Sequence, residues 1–278
     1  MQSSSHTSFS VLMSVYNNDK ADFFHEALLS VYRQTYMPDE VILVVDGPVS
    51  NKIKSVIELF SSKYNSLNVI WLPENKGHGN AKRVGLQNCN NELIAVMDSD
   101  DICVLERFEK QINYFHKHSD VSIVGGTIAE FKNSIENLIG RRELGANHSE
   151  ISTNLKLRCP MNHMTVMFKK SEVDRAGGYQ DWYHNEDYYL WIRMFINGSK
   201  FANLKDILVY VRVDENFYLR RGGLKYFFSE SRLQLFMYKN GVINLFQLFF
   251  NILIRSIIQL IMPNKVRGII FRKLFRRT

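Results

Sequence analysis

Only three cysteines occur in 278 residues, Cys89, Cys103 and Cys159, odd in number, far apart and free of C-x-x-C spacing. Their scarcity excludes a disulfide framework and a thiolate zinc site, and makes a reducing cytoplasm the expected compartment. Five prolines are too few for long stiff linkers, and no repeat of useful period occurs. Residues 2–7 are polar and lack the long apolar run of a secretory signal, so export by that route is not expected. What remains is an ordinary globular composition, 45% hydrophobic and 23% charged. The length suits one large α/β domain with an appendage, or two small domains.

The formal net charge of +7 is concentrated at one end. Residues 265–277 hold Lys265, Arg267, Arg272, Lys273, Arg276 and Arg277 without an acid, interleaved with Val266, Ile269, Ile270, Phe271, Leu274 and Phe275. That is the pattern of a basic amphipathic helix and favours an anionic membrane surface. Nucleic acid is not an expected partner, because no set of base-reading side chains accompanies the charge.

Hydrophobic periodicity alternates between strand and helix through the first half. Residues 9–15, 41–45, 69–72, 93–97 and 121–124 read as strands, and 22–34, 53–64, 79–88 and 105–116 as the helices between them. The βαβα rhythm predicts right-handed crossovers and a parallel sheet covered on both faces, with ligands at the C-terminal strand ends. From residue 128 the rhythm breaks. Residues 134–149 are polar and read as a loop, 151–156 as a helix, and 164–168 and 207–213 as strands flanking a helix that begins near Glu186. This half reads as mixed sheet added to the first, not as a separate domain. Gly222 and Gly223 then separate a helical C-terminal region.

The densest chemistry is Met97-Asp98-Ser99-Asp100-Asp101, directly after the apolar run Leu93-Ile94-Ala95-Val96. Carboxylates this close raise one another's pKa, so a hard divalent ion carrying a phosphorylated substrate satisfies them economically. The alternative is an acidic cap on a helix starting after Asp101. Three more strand ends would meet the same crevice: Val15-Tyr16-Asn17-Asn18, Asp46-Gly47-Pro48 and, after the third strand, Asn75-Lys76-Gly77-His78-Gly79. Singly, Asp46 is a turn residue and Asn75 with Gly77 a loop; their coincidence at successive strand ends is what suggests a site. Glu186 and Asp187 open a helix, where two acids either complement its dipole or supply a general base.

In order and spacing, several segments resemble the family 2 inverting glycosyltransferases with the GT-A fold. They are Ser14-Val15-Tyr16-Asn17, Ser30-Val31-Tyr32-Arg33-Gln34-Thr35, Val44-Val45-Asp46-Gly47, Glu74-Asn75-Lys76-Gly77, the 97–101 segment, and Gly177-Gly178-Tyr179 leading to Glu186-Asp187-Tyr188-Tyr189-Leu190-Trp191-Ile192-Arg193. Residues 162–171 and Arg220-Arg221-Gly222-Gly223 are similar to the branch that builds bacterial capsule, exopolysaccharide and O-antigen repeat units. The resemblance implies an α/β GT-A fold, a Rossmann-like, mostly parallel central sheet flanked by helices, with C-terminal amphipathic helices. It implies a transferase domain at 1–222, with about 1–127 binding the nucleotide sugar and 128–222 the acceptor, and a basic membrane-associating region at 223–278.

The resemblance also implies residue roles around a UDP-sugar donor. Val15 and Asn17 would flank the nucleoside, Asp46 would accept a hydrogen bond from uracil, and Asn75 would join them at the donor. Lys82 stands where the family has arginine in its A-R-N-x-G pattern, here Ala81-Lys82-Arg83-Val84-Gly85, with Arg83 as the other assignment. Asp98 would face the ribose, and Asp100, with Asp98, would hold Mn²⁺ or Mg²⁺ bridging the diphosphate. Asp187 would be the base that deprotonates the acceptor, with Glu186 as the second assignment. Arg220 and Arg221 would lie on a loop closing over phosphate, or in a solvated turn. His163 and Trp191 are assigned to the acceptor, His163 being equally readable as a packing residue.

Residues 242–262 are long and apolar enough to be tested as a membrane span. Asn244, Gln247, Asn251, Arg255 and Gln259 recur at steps of three or four and line one stripe, and centring Arg255 in a bilayer costs about 2.5 to 3.5 kcal/mol. A monotopic interfacial helix avoids that cost; a core-packing helix is the other reading. The resulting expectation is an inverting hexosyltransferase, peripheral on the cytoplasmic face of the plasma membrane, acting on an undecaprenyl-diphosphate-type lipid-linked saccharide. An α-linked donor would yield a β linkage. One alternative is a nucleotide-sugar-binding scaffold without turnover. The other, a sugar-phosphate nucleotidyltransferase, would open with a glycine-rich loop that Val15-Tyr16-Asn17-Asn18-Asp19 lacks.

Overall fold

The computed structural model describes residues 6–213 and 222–263. Short runs of Val, Ile and Leu suit strands buried on both faces. Accordingly β1 (Phe9–Val15), β2 (Glu40–Val45), β3 (Leu67–Trp71) and β4 (Leu93–Val96) pair in parallel in the order β3-β2-β1-β4. Alternate side chains divide between two cores. Val11, Met13, Val41 and Leu43 pack with α1 (Ala21–Val31), α2 (Asn51–Lys63) and α4 (Arg107–Lys117). Leu12, Ile42 and Val44 share the opposite core with α3 (His78–Asn88) and α7 (Glu186–Ile196). Each connection carries the chain back over one face, so the C-terminal ends of the four strands meet along one edge.

The expected continuation of the parallel series departs from the structure in its order. After β4 the chain turns through residues 98–101 into β5 (Ile102–Cys103), which pairs antiparallel with the far end of β9 (Phe201–Arg212). It therefore leaves the first sheet region before α4 and returns displaced. The strand read at 121–124 is the start of β6 (Ile123–Lys132), separated from β4 by β8 (Met167–Lys169), which runs antiparallel to both. A 3-10 turn at His163–Thr165 precedes β8, so the strand read at 164–168 starts later. The helix-cap reading of Asp101 is also corrected, because β5 follows it and α4 begins only after Glu106.

The loop read at 134–149 is in part a strand. After Asn133, whose φ of 67° suits a tight turn, β7 (Ser134–Arg142) folds back on β6. Its side chains are mostly exposed, and an exposed strand carries the polar composition of a loop. Later β6 pairs in parallel with β9 in the same nine-stranded sheet, as a mixed extension of the first half. The helices α5 (His148–Leu155) and α6 (Lys170–Arg175) complete this part.

Residues 242–262 form α9 (Leu245–Ser256) and a π turn at Ile257–Ile261, after α8 (Leu224–Lys239). Asn244 and Gln247 exchange side-chain and backbone hydrogen bonds in a capping box that starts α9. From Asn251 onward the polar stripe faces inward, while Asn244 at the cap is exposed. Asn251, 1% exposed, donates to the Lys156 carbonyl and to Gln234; Arg255 donates to the Leu157 carbonyl and pairs with Glu230 at 2.8 Å. Gln259 donates to the same Glu230. The apolar residues point outward: Phe246 is 77% exposed and Ile261 72%, with Phe249, Phe250, Leu253 and Ile257 also exposed. Among the described residues no helix is long and apolar enough to cross a membrane. Arg220, Arg221 and the basic run 265–277 lie outside the described residues.

Candidate active site

The turn after β4 joins the loop after β1 at the sheet edge, beside the point where strand order reverses. Ser99 donates to Asp19 Oδ2 at 2.8 Å, and the Tyr16 amide donates to the same oxygen at 3.1 Å. Asp19 thus becomes a fourth acid of the cluster, one that sequence reasoning missed. Its only local signal is its place two residues beyond Asn17. Burial, with Asp98 nearby, raises the Asp19 pKa. Asp100, at the rim, is pushed up to about 6, first by loss of water around its carboxyl and then by Asp98 and Asp19. Burial and then Asp100 push Asp101 well above the usual carboxylate range.

Two fully buried cations brace this turn. Lys82 donates to the Met97 carbonyl at 3.2 Å and lies 3.7 Å from Asp98 Oδ1. Arg107, which sequence reasoning passed over, donates to the Val96 carbonyl at 2.7 Å and to Gln111. Burial acts to raise the Asp98 pKa, but Lys82, then His163, His78 and Arg107, outweigh it and hold it below its usual value. Burial pushes Lys82 down while Asp98 acts in the opposite sense. Arg212 at the end of β9 closes the turn from outside, its amide donating to Asp101 Oδ1 and its Nε to the Asp100 carbonyl.

Asp98 Oδ1 nevertheless has no hydrogen-bond partner among the described residues. An orphaned carboxylate oxygen beside acids whose ionisation is opposed is a donor set that fits a hard divalent cation. His78, Asp98 and His163 each offer one ligand atom, all within 4.8 Å of one another. Buried Lys82 lies 3.7 Å from this same Oδ1 and offsets part of its charge, so an ion held there would draw as well on the exposed Asp100 carboxyl.

On the opposite side of β1, Val15 is buried at the strand end and Asn17 is exposed in the following loop. Asp46 accepts from the Lys76 amide at 2.9 Å and the Gly77 amide at 3.0 Å, each oxygen keeping a lone pair. Asn75 accepts from the same Gly77 amide at 3.2 Å, an Asx-type turn. Gly47 makes the approach possible: its φ is +84°, and a Cβ there would stand 2.5 Å from the Asn75 nitrogen.

Facing the acid turn, α7 begins with Glu186 and Asp187. Glu186 accepts from His78 Nδ1 at 2.9 Å; burial acts to raise its pKa, but His78, its own backbone amide and His163 together outweigh it and lower it. Asp187 is pushed up to about 6, first by burial and then by Glu186, while its own helix amide at Tyr188 and the Cys159 thiol donate to it. His163 is buried, hydrogen-bonded to the Tyr179 hydroxyl at 3.0 Å, and burial pushes its pKa down to about 3. Trp191 does not line the crevice. It is 0% exposed and packs against Phe168 and His163, because its side of α7 faces the sheet. Direct contact with an acceptor is therefore not available to Trp191 here; it supports His163 from below.

The site thus sets an acid cluster whose oxygens fit a divalent cation near a helix start carrying a carboxyl raised to about 6, an arrangement suited to group transfer from a phosphorylated donor. A family profile described as Glycosyl transferase family 2 matches residues 10–228. The amylovoran biosynthesis glycosyltransferase AmsE of Erwinia amylovora is 38% identical over 268 residues, covering 95% of this chain and 98% of that protein. A UDP-Gal:alpha-D-GlcNAc-diphosphoundecaprenol beta-1,3-galactosyltransferase of Escherichia coli is 36% identical over 269 residues, 97% of each chain. The structure of S. aureus TarS 1-349 in complex with UDP-GlcNAc matches with a TM-score of 0.66 at 17% identity, covering 90% of this chain and 73% of that chain. Mannosyltransferase PcManGT from Pyrobaculum calidifontis, in complex with GDP-Man and Mn²⁺, matches with a TM-score of 0.62 at 15% identity, covering 83% and 64%. At these identities the two structures show a shared fold.

Proposed function

The chain belongs to glycosyl transferase family 2, and from that premise we propose that it transfers a hexose from a UDP-sugar to a lipid-diphosphate-linked saccharide with inversion. The chain is a glycosyltransferase of the GT-A fold; the donor base, acceptor and residue roles are the reading offered. The observation that carries it is that His78 joins the acid turn, 3.8 Å from Asp98, to the start of α7, 2.9 Å from Glu186, which sets Asp187 beside the same site. In this reading Asp187 removes the acceptor proton, and Val15, Asn17, Asp46 and Asn75 seat the nucleoside. Lys82 steadies Asp98, His163 lies toward the acceptor, and Arg220 and Arg221 meet phosphate. A divalent ion held by Asp100 and Asp98, Mn²⁺ or Mg²⁺, would neutralise charge growing on the leaving diphosphate. The transferase domain is assigned to 1–222, with about 1–127 for the donor and 128–222 for the acceptor. A panel of radiolabelled UDP-hexoses with Mn²⁺ and a GlcNAc-diphospho-lipid tests the reading. Transfer from one of them supports it, and absence of transfer from all, with well-folded protein, rejects it.

The membrane part of the reading places 223–278 on the cytoplasmic face, as a peripheral rather than a spanning region. Its support is the outward apolar face of α9 together with the six basic residues that follow in sequence. With Asn251 and Arg255 satisfied inside the protein, bringing that face to a bilayer strands no buried polar group. Fully burying one Phe is worth about 1.5 to 3 kcal/mol. Replacing both Phe246 and Phe249 by Asp is therefore expected to weaken co-sedimentation with anionic vesicles by about a hundredfold or more. Undiminished co-sedimentation would reject the anchoring role of α9.

A further inference from the structure

His78 carries chemistry that the proposed roles do not use. It is the first residue of α3, after Gly77 at φ +89°, and its side chain is 41% exposed to the crevice. Its Nδ1 is 2.9 Å from Glu186 Oε1, and its Nε2 is 3.8 Å from Asp98 Oδ1. The ring stands edge-on to His163 at 5.6 Å. One imidazole therefore spans the gap between the acid turn and the start of α7. The two helix starts lie close together: a Cβ at residue 79 would stand in van der Waals contact, 3.4 Å from Glu186 Cβ.

Successive residues of a helix point about 100° apart, so Glu186 and Asp187 cannot share one direction. Without a tether, a Glu at the first position of a helix has rotamers that reach over the crevice. We propose that His78 is a positioning residue that ties the Glu186 carboxylate to α3 and so leaves the space before Asp187 clear for the acceptor hydroxyl. This deepens the assignment of Asp187 as base and rests on it. His78 does not itself touch the reacting atoms in this arrangement. Its effect passes through Glu186, and it falls on turnover more than on donor binding.

The test uses the full-length enzyme with four single variants, His78→Ala, His78→Asn, Glu186→Ala and Asp187→Asn, and the double variant of His78→Ala with Glu186→Ala. Expected for His78→Ala is a loss of about tenfold to a hundredfold in kcat, with the donor KM changed by less than about threefold. His78→Asn, whose amide reproduces the Nδ1 donor, recovers most of that loss. In the Glu186→Ala background the alanine substitution at His78 costs less than about threefold more, because no side chain is left to be tethered.

Losses that simply add, or a raised donor KM with kcat intact, would make His78 a donor contact and overturn the proposal. A Mn²⁺ activation constant raised about tenfold or more in both His78 variants would make it a metal ligand and overturn it equally. A fall in thermal midpoint shared by His78→Ala and His78→Asn, without rescue of kcat, would reduce it to a structural role. Failure of the underlying assignment is separate: it is an active Asp187→Asn variant, whatever the His78 variants do.

Discussion

Asp187→Asn is expected to lower kcat by about a hundredfold to ten-thousandfold while leaving Mn²⁺-dependent UDP binding intact. Asparagine keeps the shape and still accepts from the Tyr188 amide, but it cannot take the acceptor proton. Because burial and Glu186 push the Asp187 pKa up to about 6, wild-type kcat/KM should fall as pH drops below about 6, where the base becomes protonated. The stability consequence has the opposite sense. A carboxyl with a raised folded-state pKa holds its proton between the ordinary value of 3.8 and about 6, whereas the unfolded chain has released it. The folded state is therefore penalised progressively as pH rises through that window, and the penalty is complete above it. Asp187→Asn should accordingly melt higher than wild type at pH 7.5 while being far less active. A variant that loses activity and melts lower would show damage to packing, and full activity would remove Asp187 as base.

The parts legible in sequence are those set by short-range pattern. Four Val- and Ile-rich runs each end in a polar turn, and their order alone places Asp46, Asp98 and the start of α3 on one edge. The parts not legible depend on where distant segments dock. β8 enters between β4 and β6 with three residues, too few to reveal its neighbours. Asp19 joins the acid cluster through Ser99, 80 residues away, and His78 meets Glu186 across 108. For α9 the periodicity revealed a polar stripe but not its direction. Lys156, Leu157, Glu230 and Gln234 supply the partners that turn it inward, and none of these is visible from the stripe itself. Arg107 passed unnoticed for the same reason: a helix-start arginine reads as solvated until the fold buries it under the acid turn.

Asp100→Asn is expected to abolish Mn²⁺-dependent uptake of UDP, measured by calorimetry, with transfer falling in parallel. Asp98, Asp100, Asp101 and Asp19 share one turn and its neighbouring loop, and the Asp100 carboxyl stands at about 6 because its ionisation is opposed by lost water and by Asp98 and Asp19. Lys82 and Arg107 offset part of that repulsion from beneath, on the side of Asp98. At pH 7.5, above the Asp100 window, the unliganded wild type carries a repulsion that a bound cation relieves. A ligand at a hundredfold excess over its Kd stabilises the folded state by about 2.7 kcal/mol. Wild type should therefore show a Mn²⁺- and UDP-dependent rise in melting temperature of several degrees, about 2 to 4 °C per kcal/mol for a chain near this size. Asp100→Asn should melt higher than wild type without ligand, since one opposed charge is gone, and should gain nothing from Mn²⁺ with UDP. The crossing of the two curves is the diagnostic, because a merely structural residue would lower the unliganded melting point and leave the ligand-dependent rise in place. Undiminished Mn²⁺-dependent UDP binding by Asp100→Asn would remove Asp100 from the metal and leave His78, Asp98 and His163 as the only described cluster able to hold it.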